Sequence, residues 1–230
     1  MIRLTIVQGP FYYRYLQPNM NSREHIKNDL LKRKISAIIR TENQQVAEQA
    51  MQAAVDGGFR VVEFTLTTPG ALNLITQFRE NNDLIVGAGT VMSSALAQEA
   101  VGAGAQFLVS PVCNINVIQE AVKLDVVSIP GTFTATEMET AHQAGADLVK
   151  LFPAPANVAE YIRFILAPQP YLKIFPTSGV NLDNMLDVLD SGAAGIGFVR
   201  PLFDPETIRN KNYDDIRQRA EEIVERLASL

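Results

Sequence analysis

The sequence holds no tryptophan, one cysteine and two histidines among 230 residues. The single cysteine, Cys113, excludes an internal disulfide and a multi-cysteine zinc site. Two histidines, His25 and His142, are too few for a histidine-rich metal centre. No uninterrupted apolar run approaches the ~20 residues that a membrane-spanning helix needs. The N-terminal stretch lacks a charged-then-apolar leader, because Gln8, Arg14, Gln17 and Pro18 interrupt it. Excess charge is also small: a net charge of -5 does not point to nucleic acid or to a basic membrane patch. The expectation is a soluble, cytoplasmic protein without nucleic-acid or membrane partners. At 47% hydrophobic content there is ample material for a core.

The sequence does have rhythm. Apolar strand-like runs begin at Ile35, Arg60, Leu84, Gln106, Val126, Leu148, Leu172 and Ala194, and amphipathic helical stretches separate them. Thr41, Ser93, Asn114, Thr134 and Asn181 stand where helix caps are expected. Eight apolar strands joined by helices imply parallel βαβ units and a closed (β/α)₈ TIM barrel, an α/β fold. An open doubly wound sheet is the alternative. It would usually carry a glycine-rich nucleotide loop after its first strand, where this chain has Arg40-Thr41-Glu42-Asn43. Residues 1–30 read as an N-terminal extension, partly helical over Glu24 to Leu31, and 31–230 as the barrel. A leading helix that closes the barrel bottom fits this pattern.

The stretch Leu148-Val149-Lys150-Leu151-Phe152-Pro153 places one lysine inside an apolar strand. Side chains alternate, so Leu148, Lys150 and Phe152 share a face opposite Val149 and Leu151. A buried ammonium is costly unless it is paired or loses its proton, and a neutral lysine is a nucleophile for carbonyl carbon. The plainer reading is a lysine snorkelling to water from an edge strand. In a (β/α)₈ barrel, catalytic groups sit at the C-terminal strand ends. There the sequence offers Arg40, Glu63, Thr65, Thr67, Thr90, Pro111, Lys150 and Thr177-Ser178-Gly179. A lysine, a carboxylate and an arginine at one mouth fit imine chemistry. The amine attacks a ketone, the carboxylate shuttles protons, and the arginine fork holds a substrate carboxylate.

The stretches Ala37-Ile38-Ile39-Arg40, Val62-Glu63-Phe64-Thr65-Leu66, Gly87-Ala88-Gly89-Thr90-Val91, Val109-Ser110-Pro111, Ile129-Pro130-Gly131 and Val149-Lys150-Leu151-Phe152-Pro153-Ala154 carry a resemblance. Over about residues 34–228 the sequence resembles the class I 2-keto-3-deoxy-6-phosphogluconate (KDPG) / 4-hydroxy-2-oxoglutarate (KHG) aldolases. The resemblance implies a homotrimeric barrel that reversibly cleaves a 2-keto-4-hydroxy acid to pyruvate and an aldehyde, with neither metal nor cofactor. It makes Lys150 the Schiff-base former and Glu63 the general acid/base. Thr90 would help hold the pyruvate carboxylate, Pro111 would line the pocket, and Phe152 would pack near the imine.

Two departures bear on specificity. Many family members have an arginine where this chain has Thr67, so carboxylate recognition falls to Arg40. The family's phosphate loops, two glycines after strand seven and a Gly-Ser pair after strand eight, read Thr177-Ser178-Gly179-Val180 and Gly197-Phe198-Val199-Arg200 here. Phe198 is expected to block close backbone approach and Val199 offers no hydroxyl, which leaves phosphate binding open. Arg200 either supplies the missing charge or is a solvated or subunit-bridging arginine. Glu63 has an alternative as a structural ion-pair partner, and Thr90 as a helix cap. Cys113 and His142 read as structural. A phosphate-sugar isomerase or epimerase on the same barrel is a second functional reading. A non-catalytic metabolite-binding barrel is a third.

Overall fold

The computed structural model describes residues 22–229. The aromatic-rich stretch Met1 to Met20 lies outside the described residues. The described chain runs α1 (Arg23–Arg33), β1 (Ile35–Ile39), α2 (Gln44–Asp56), β2 (Val61–Thr65), α3 (Ala71–Phe78), β3 (Ile85–Gly89), α4 (Ser94–Gly102), β4 (Phe107–Val109) and α5 (Ile115–Lys123). It continues with β5 (Val127–Ile129), β6 (Gly131–Thr132), α6 (Ala135–Gln143), β7 (Val149–Leu151), α7 (Val158–Leu166), β8 (Ile174–Pro176), α8 (Met185–Asp190), β9 (Ile196–Phe198), α9 (Pro205–Arg209) and α10 (Tyr213–Leu227).

All pairings between these strands are parallel. One ladder runs β5-β4-β3-β2-β1-β9 and another β6-β7-β8. Pro130 separates β5 from β6, because it has no N–H for the ladder, and its carbonyl still accepts from the Lys150 amide at 2.8 Å. The two segments are therefore halves of one stave. A bridge between Thr177 and Gly197 joins β8 to β9. The result is an eight-stave (β/α)₈ barrel closed by the β9–β1 pairing.

Alternation along the staves sorts two cores. Val62 and Phe64, Val86 and Ala88, and Val149 and Leu151 face the helices. Val61, Ile85, Phe107, Val127, Leu148 and Phe175 fill the lumen, joined by Ile26 and Leu30 of α1. The helix expected over 24–31 thus closes the lumen from the N-terminal end of the staves. Burying Ile26 and Leu30 is worth ~1.5–3 kcal/mol each. A partly buried ion pair ties its start to the barrel: Arg23 Nε donates to Asp147 Oδ2 at 2.8 Å, and that oxygen also accepts from the Ser128 amide.

Helix starts differ locally from expectation. Asn43, not Thr41, caps α2 by accepting from the Val46 amide, while Thr41 Oγ1 donates to the Asn43 carbonyl. Asn181 forms a turn, accepting from the amides of Asp183 and Asn184, and α8 begins four residues later. Thr134 and Glu137 form the full capping box. Short helix α9 adds to the expected elements. Its local cue is Asp204-Pro205: the aspartate accepts from the amides of Glu206 and Thr207, and proline sits in the first turn. Among the described residues no helix is long and apolar enough to cross a membrane.

Candidate active site

The C-terminal ends of the staves surround one cleft of about 960 Å³. Arg40 leaves the end of β1, Glu63 rises from the middle of β2, Thr90 follows β3 and Pro111 follows β4. Lys150 sits at the centre of β7, with Phe152 two residues on. Ser178 and Gly179 follow β8, and Arg200 follows β9. All of these expected residues line the cleft. Thr67 does not. It lies on the β2–α3 turn, exposed, against a neighbouring depression, with its hydroxyl 3.2 Å from that of Thr65.

Lys150 and Glu63 face the lumen because they fall on the inward positions of their strands. Lys150 is 8% exposed and Glu63 3%. Burial lowers the Lys150 amine and the Arg40 charge adds to that, while Glu63 opposes it. Burial raises the Glu63 carboxyl, against the pull of Lys150 and Arg40. Both groups are therefore pushed toward their neutral forms. Among the described residues Glu63 makes no ion pair within 4 Å, which argues against a purely structural pairing. The Lys150 Nζ lies 5.0 Å from the centroid of the Phe152 ring, a cation–π approach available to a protonated nitrogen.

Close backbone approach makes room for this pair. A Cβ at Gly89 would stand 2.1 Å from Glu63 Oε1, so the carboxylate occupies the space that a side chain would take. Gly89→Ala therefore forces Glu63 to rotate. We expect kcat to fall about 100-fold, the effect of misplacing a reacting group by roughly an ångström. Steady-state kinetics with a thermal melt checks this, the barrel remaining folded.

Thr90 holds a φ of 60°, a left-handed conformation that a β-branched residue rarely adopts. Arg40 Nη2 donates to its hydroxyl at 3.1 Å. Thr90 does not cap α4, since Ser93 does so by accepting from the Leu96 amide. Strained Thr90 and Arg40 thus form one polar edge of the cleft. On the β8 loop, Ser178 (φ 66°) and Gly179 (φ 79°) are both left-handed. A serine thereby meets a demand that glycine usually meets.

Phe198 behaves differently from expectation. Its ring is fully buried on the helix side of β9, edge-on to Phe59 at 6.1 Å. It does not line the cleft, because an inward Gly197 forces its neighbour outward. Val199 is the residue presented to the cleft. Sequence reasoning missed Arg209 and Lys211, which reach the same cleft from α9 and its exit. Among the described residues, Arg200, Arg209 and Lys211 have no acidic partner within ion-pair distance. Among the described residues no three His, Cys, Asp or Glu side chains gather as metal ligands.

A (β/α)₈ barrel with a buried, easily deprotonated lysine beside a buried carboxylate defines the class of imine-forming aldolases, carbon–carbon lyases. The family model for KDPG and KHG aldolase matches residues 26–219. The chain belongs to the KDPG and KHG aldolase family. It is 35% identical over 156 residues to the 2-dehydro-3-deoxy-phosphogluconate aldolase of Treponema pallidum (strain Nichols), covering 67% of this chain and 74% of that one. It is 32% identical over 170 residues to the 2-dehydro-3-deoxy-6-phosphogalactonate aldolase of Escherichia coli (strain K12), covering 73% and 83%. Among solved structures, KDPG aldolase from Legionella pneumophila, with pyruvate captured at low pH as a covalent carbinolamine intermediate, superposes with a TM-score of 0.76. The identity there is 26%, over 85% of this chain and 96% of that one.

Proposed function

We propose that this aldolase cleaves a 2-keto-4-hydroxy acid reversibly to pyruvate and an aldehyde, with Lys150 as the nucleophile and Glu63 as the proton carrier. One observation carries the reading: two buried, mutually opposed groups, an amine and a carboxyl, both pushed toward neutrality at the mouth of one cleft. Neutral Lys150 Nζ adds to the C2 ketone, and loss of water leaves a protonated imine. Glu63, as carboxylate, takes the proton of the C4 hydroxyl. The C3–C4 bond then breaks, its electron pair moves toward the imine nitrogen, and the aldehyde departs. Glu63 returns its proton to C3 of the enamine, and hydrolysis releases pyruvate.

Arg40 and Thr90 form the carboxylate subsite. Arg40→Ala removes charge-assisted hydrogen bonds worth ~1.5–3 kcal/mol, so KM for the keto acid should rise about 10- to 150-fold with a smaller change in kcat. Initial-rate kinetics in the cleavage direction checks the split. Pro111 and Phe152 shape the apolar wall beside the imine.

The far end of the cleft favours a second anion on the substrate. Arg200, Arg209 and Lys211 line it, and Ser178 and Gly179 present the β8 loop there. Side-chain cations of this kind suit the phosphate of a KDPG-type substrate or the second carboxylate of 4-hydroxy-2-oxoglutarate. Borohydride trapping with pyruvate, read by intact mass and peptide mapping, tests the reaction class, and an adduct on Lys150 is expected. Condensation of pyruvate with glyceraldehyde 3-phosphate against glyoxylate then selects the aldehyde. A wild-type protein that traps no pyruvate would leave a diverged, non-catalytic barrel.

The assembly we propose is a homotrimer. Exposed Val112, Phe133, Phe164 and Tyr171 support an apolar subunit contact. Light scattering should return three times the 25.3 kDa chain mass.

A further inference from the structure

Beneath Lys150 the barrel holds a second, much smaller space. It measures about 10 Å³, room for one water molecule. Leu30 and Phe175 supply apolar wall, and Ser36, Glu63, Lys150 and Thr177 supply polar groups. Ser36 is 2% exposed and Thr177 1%, and neither hydroxyl has a hydrogen-bond partner within the protein. Leaving a buried hydroxyl unpaired costs ~1–3 kcal/mol, so two such groups at one small space call for a shared partner.

The sheet register explains why they meet. Ser36 of β1 pairs with Gly197 of β9, and Gly197 bridges to Thr177 beyond β8. The middle position carries no side chain, and a Cβ there would lie 2.6 Å from Thr177 Oγ1. Ile38, Glu63, Lys150 and Thr177 line both this space and the open cleft, so they form the wall between them.

We infer that Ser36 and Thr177 hold one internal water that carries protons between Lys150 and Glu63 on the inner side of the imine. The inference rests on the imine reading above. As Lys150 Nζ bonds to the keto carbon, the neutral Glu63 carboxyl protonates the keto oxygen to a hydroxyl and becomes a carboxylate, while the nitrogen carries an extra proton. That proton passes to the water as one of the water's own protons passes to a Glu63 carboxylate oxygen. The water is regenerated, and Glu63 then holds the proton that the departing hydroxyl takes up as it leaves. The transfer bypasses the substrate-filled cleft. Ser36 and Thr177 are positioning residues here, since they act through the water.

Ser36→Ala is the clean variant, because Ser36 does not line the open cleft. Its rate of imine formation with pyruvate, read by rapid quench into borohydride, should fall about tenfold or more, the scale of a lost proton-transfer step. The acid limb of that rate should also move to lower pH, since the water solvates the charged amine. Thr177→Val should behave alike, and Thr177→Ser, which keeps the hydroxyl, should restore the wild-type profile. A purely structural role would lower the melting temperature without moving the pH profile. A high-resolution crystal structure should show a water within hydrogen-bond reach of both hydroxyls. A dry cavity, or a Ser36→Ala profile superposing on wild type while wild type traps pyruvate, overturns the inference and leaves the aldolase reading intact. Absence of trapping in wild type would instead overturn the aldolase reading.

Discussion

Lys150→Met should abolish aldol cleavage, with a loss on the order of 10⁴-fold or more, because among the described residues no other buried lysine lines the cleft to form the imine. Lys211 sits at the outer rim and is exposed, so it does not replace a desolvated amine. Borohydride with pyruvate should leave the variant without an adduct. The same substitution carries a stability signature of opposite sign. A free lysine takes up its proton near 10.5, and burial lowers that value in the folded chain. Between those two values the unfolded chain binds one proton more than the folded chain, so stability rises with pH. The buried amine therefore destabilises the fold increasingly as pH falls from about 10.5 toward the lowered value. Methionine has similar volume and no charge to bury. The variant should melt at or above the wild-type temperature at neutral pH, and the difference should vanish above pH ~10.5. Thermal melts at several pH values check this. A lower melting temperature at neutral pH, or a surviving adduct, would mean that Lys150 is not the desolvated nucleophile.

Glu63→Gln should lower kcat by about 10²- to 10⁴-fold, the usual contribution of a positioned acid/base. The variant should still trap pyruvate, more slowly, since the amine remains. Its pH profile should move in a defined direction. The Glu63 charge holds the Lys150 amine up against burial. Without it, burial and Arg40 lower the amine further, and a larger neutral fraction is present at a given pH. The acid limb of imine formation should therefore shift to lower pH even as turnover falls. A shift to higher pH, or unchanged kcat, would assign the proton transfers to another group. The two variants separate the roles: loss of Lys150 removes the covalent adduct, whereas loss of Glu63 leaves the adduct and removes the proton traffic.

Much of the barrel and its mouth is legible in the chain itself. Alternation decides which face each strand residue takes, so Lys150 and Leu148 fall on one side and Val149 and Leu151 on the other without knowledge of any contact. Recurrence of apolar strands with helices yields the eight staves, and reading their C-terminal ends gathers Arg40, Glu63, Thr90, Pro111 and Lys150. These are local properties, set by a two-residue strand period and by the residue types at each strand's end.

Tertiary structure decided the rest. Whether Thr67 or Arg40 reaches the cleft depends on how a turn leaves its strand, and the β2–α3 turn carries Thr67 away. Phe198 could not be placed from a motif position alone. Its ring goes outward because Gly197 takes the inward slot, and Phe59, distant in sequence, receives it. Arg209 and Lys211 enter through a five-residue helix too short to show a periodicity. Ser36 gave no signal, because a lone serine in an apolar strand acquires meaning only when closure of the barrel brings β8 and β9 around to β1. For Ser36, and for the packing of Phe198 on Phe59, the physical reason is long range. Strand period and capping are short-range and leave a trace in neighbouring residues, whereas meeting across a closed barrel depends on register between staves far apart in the chain.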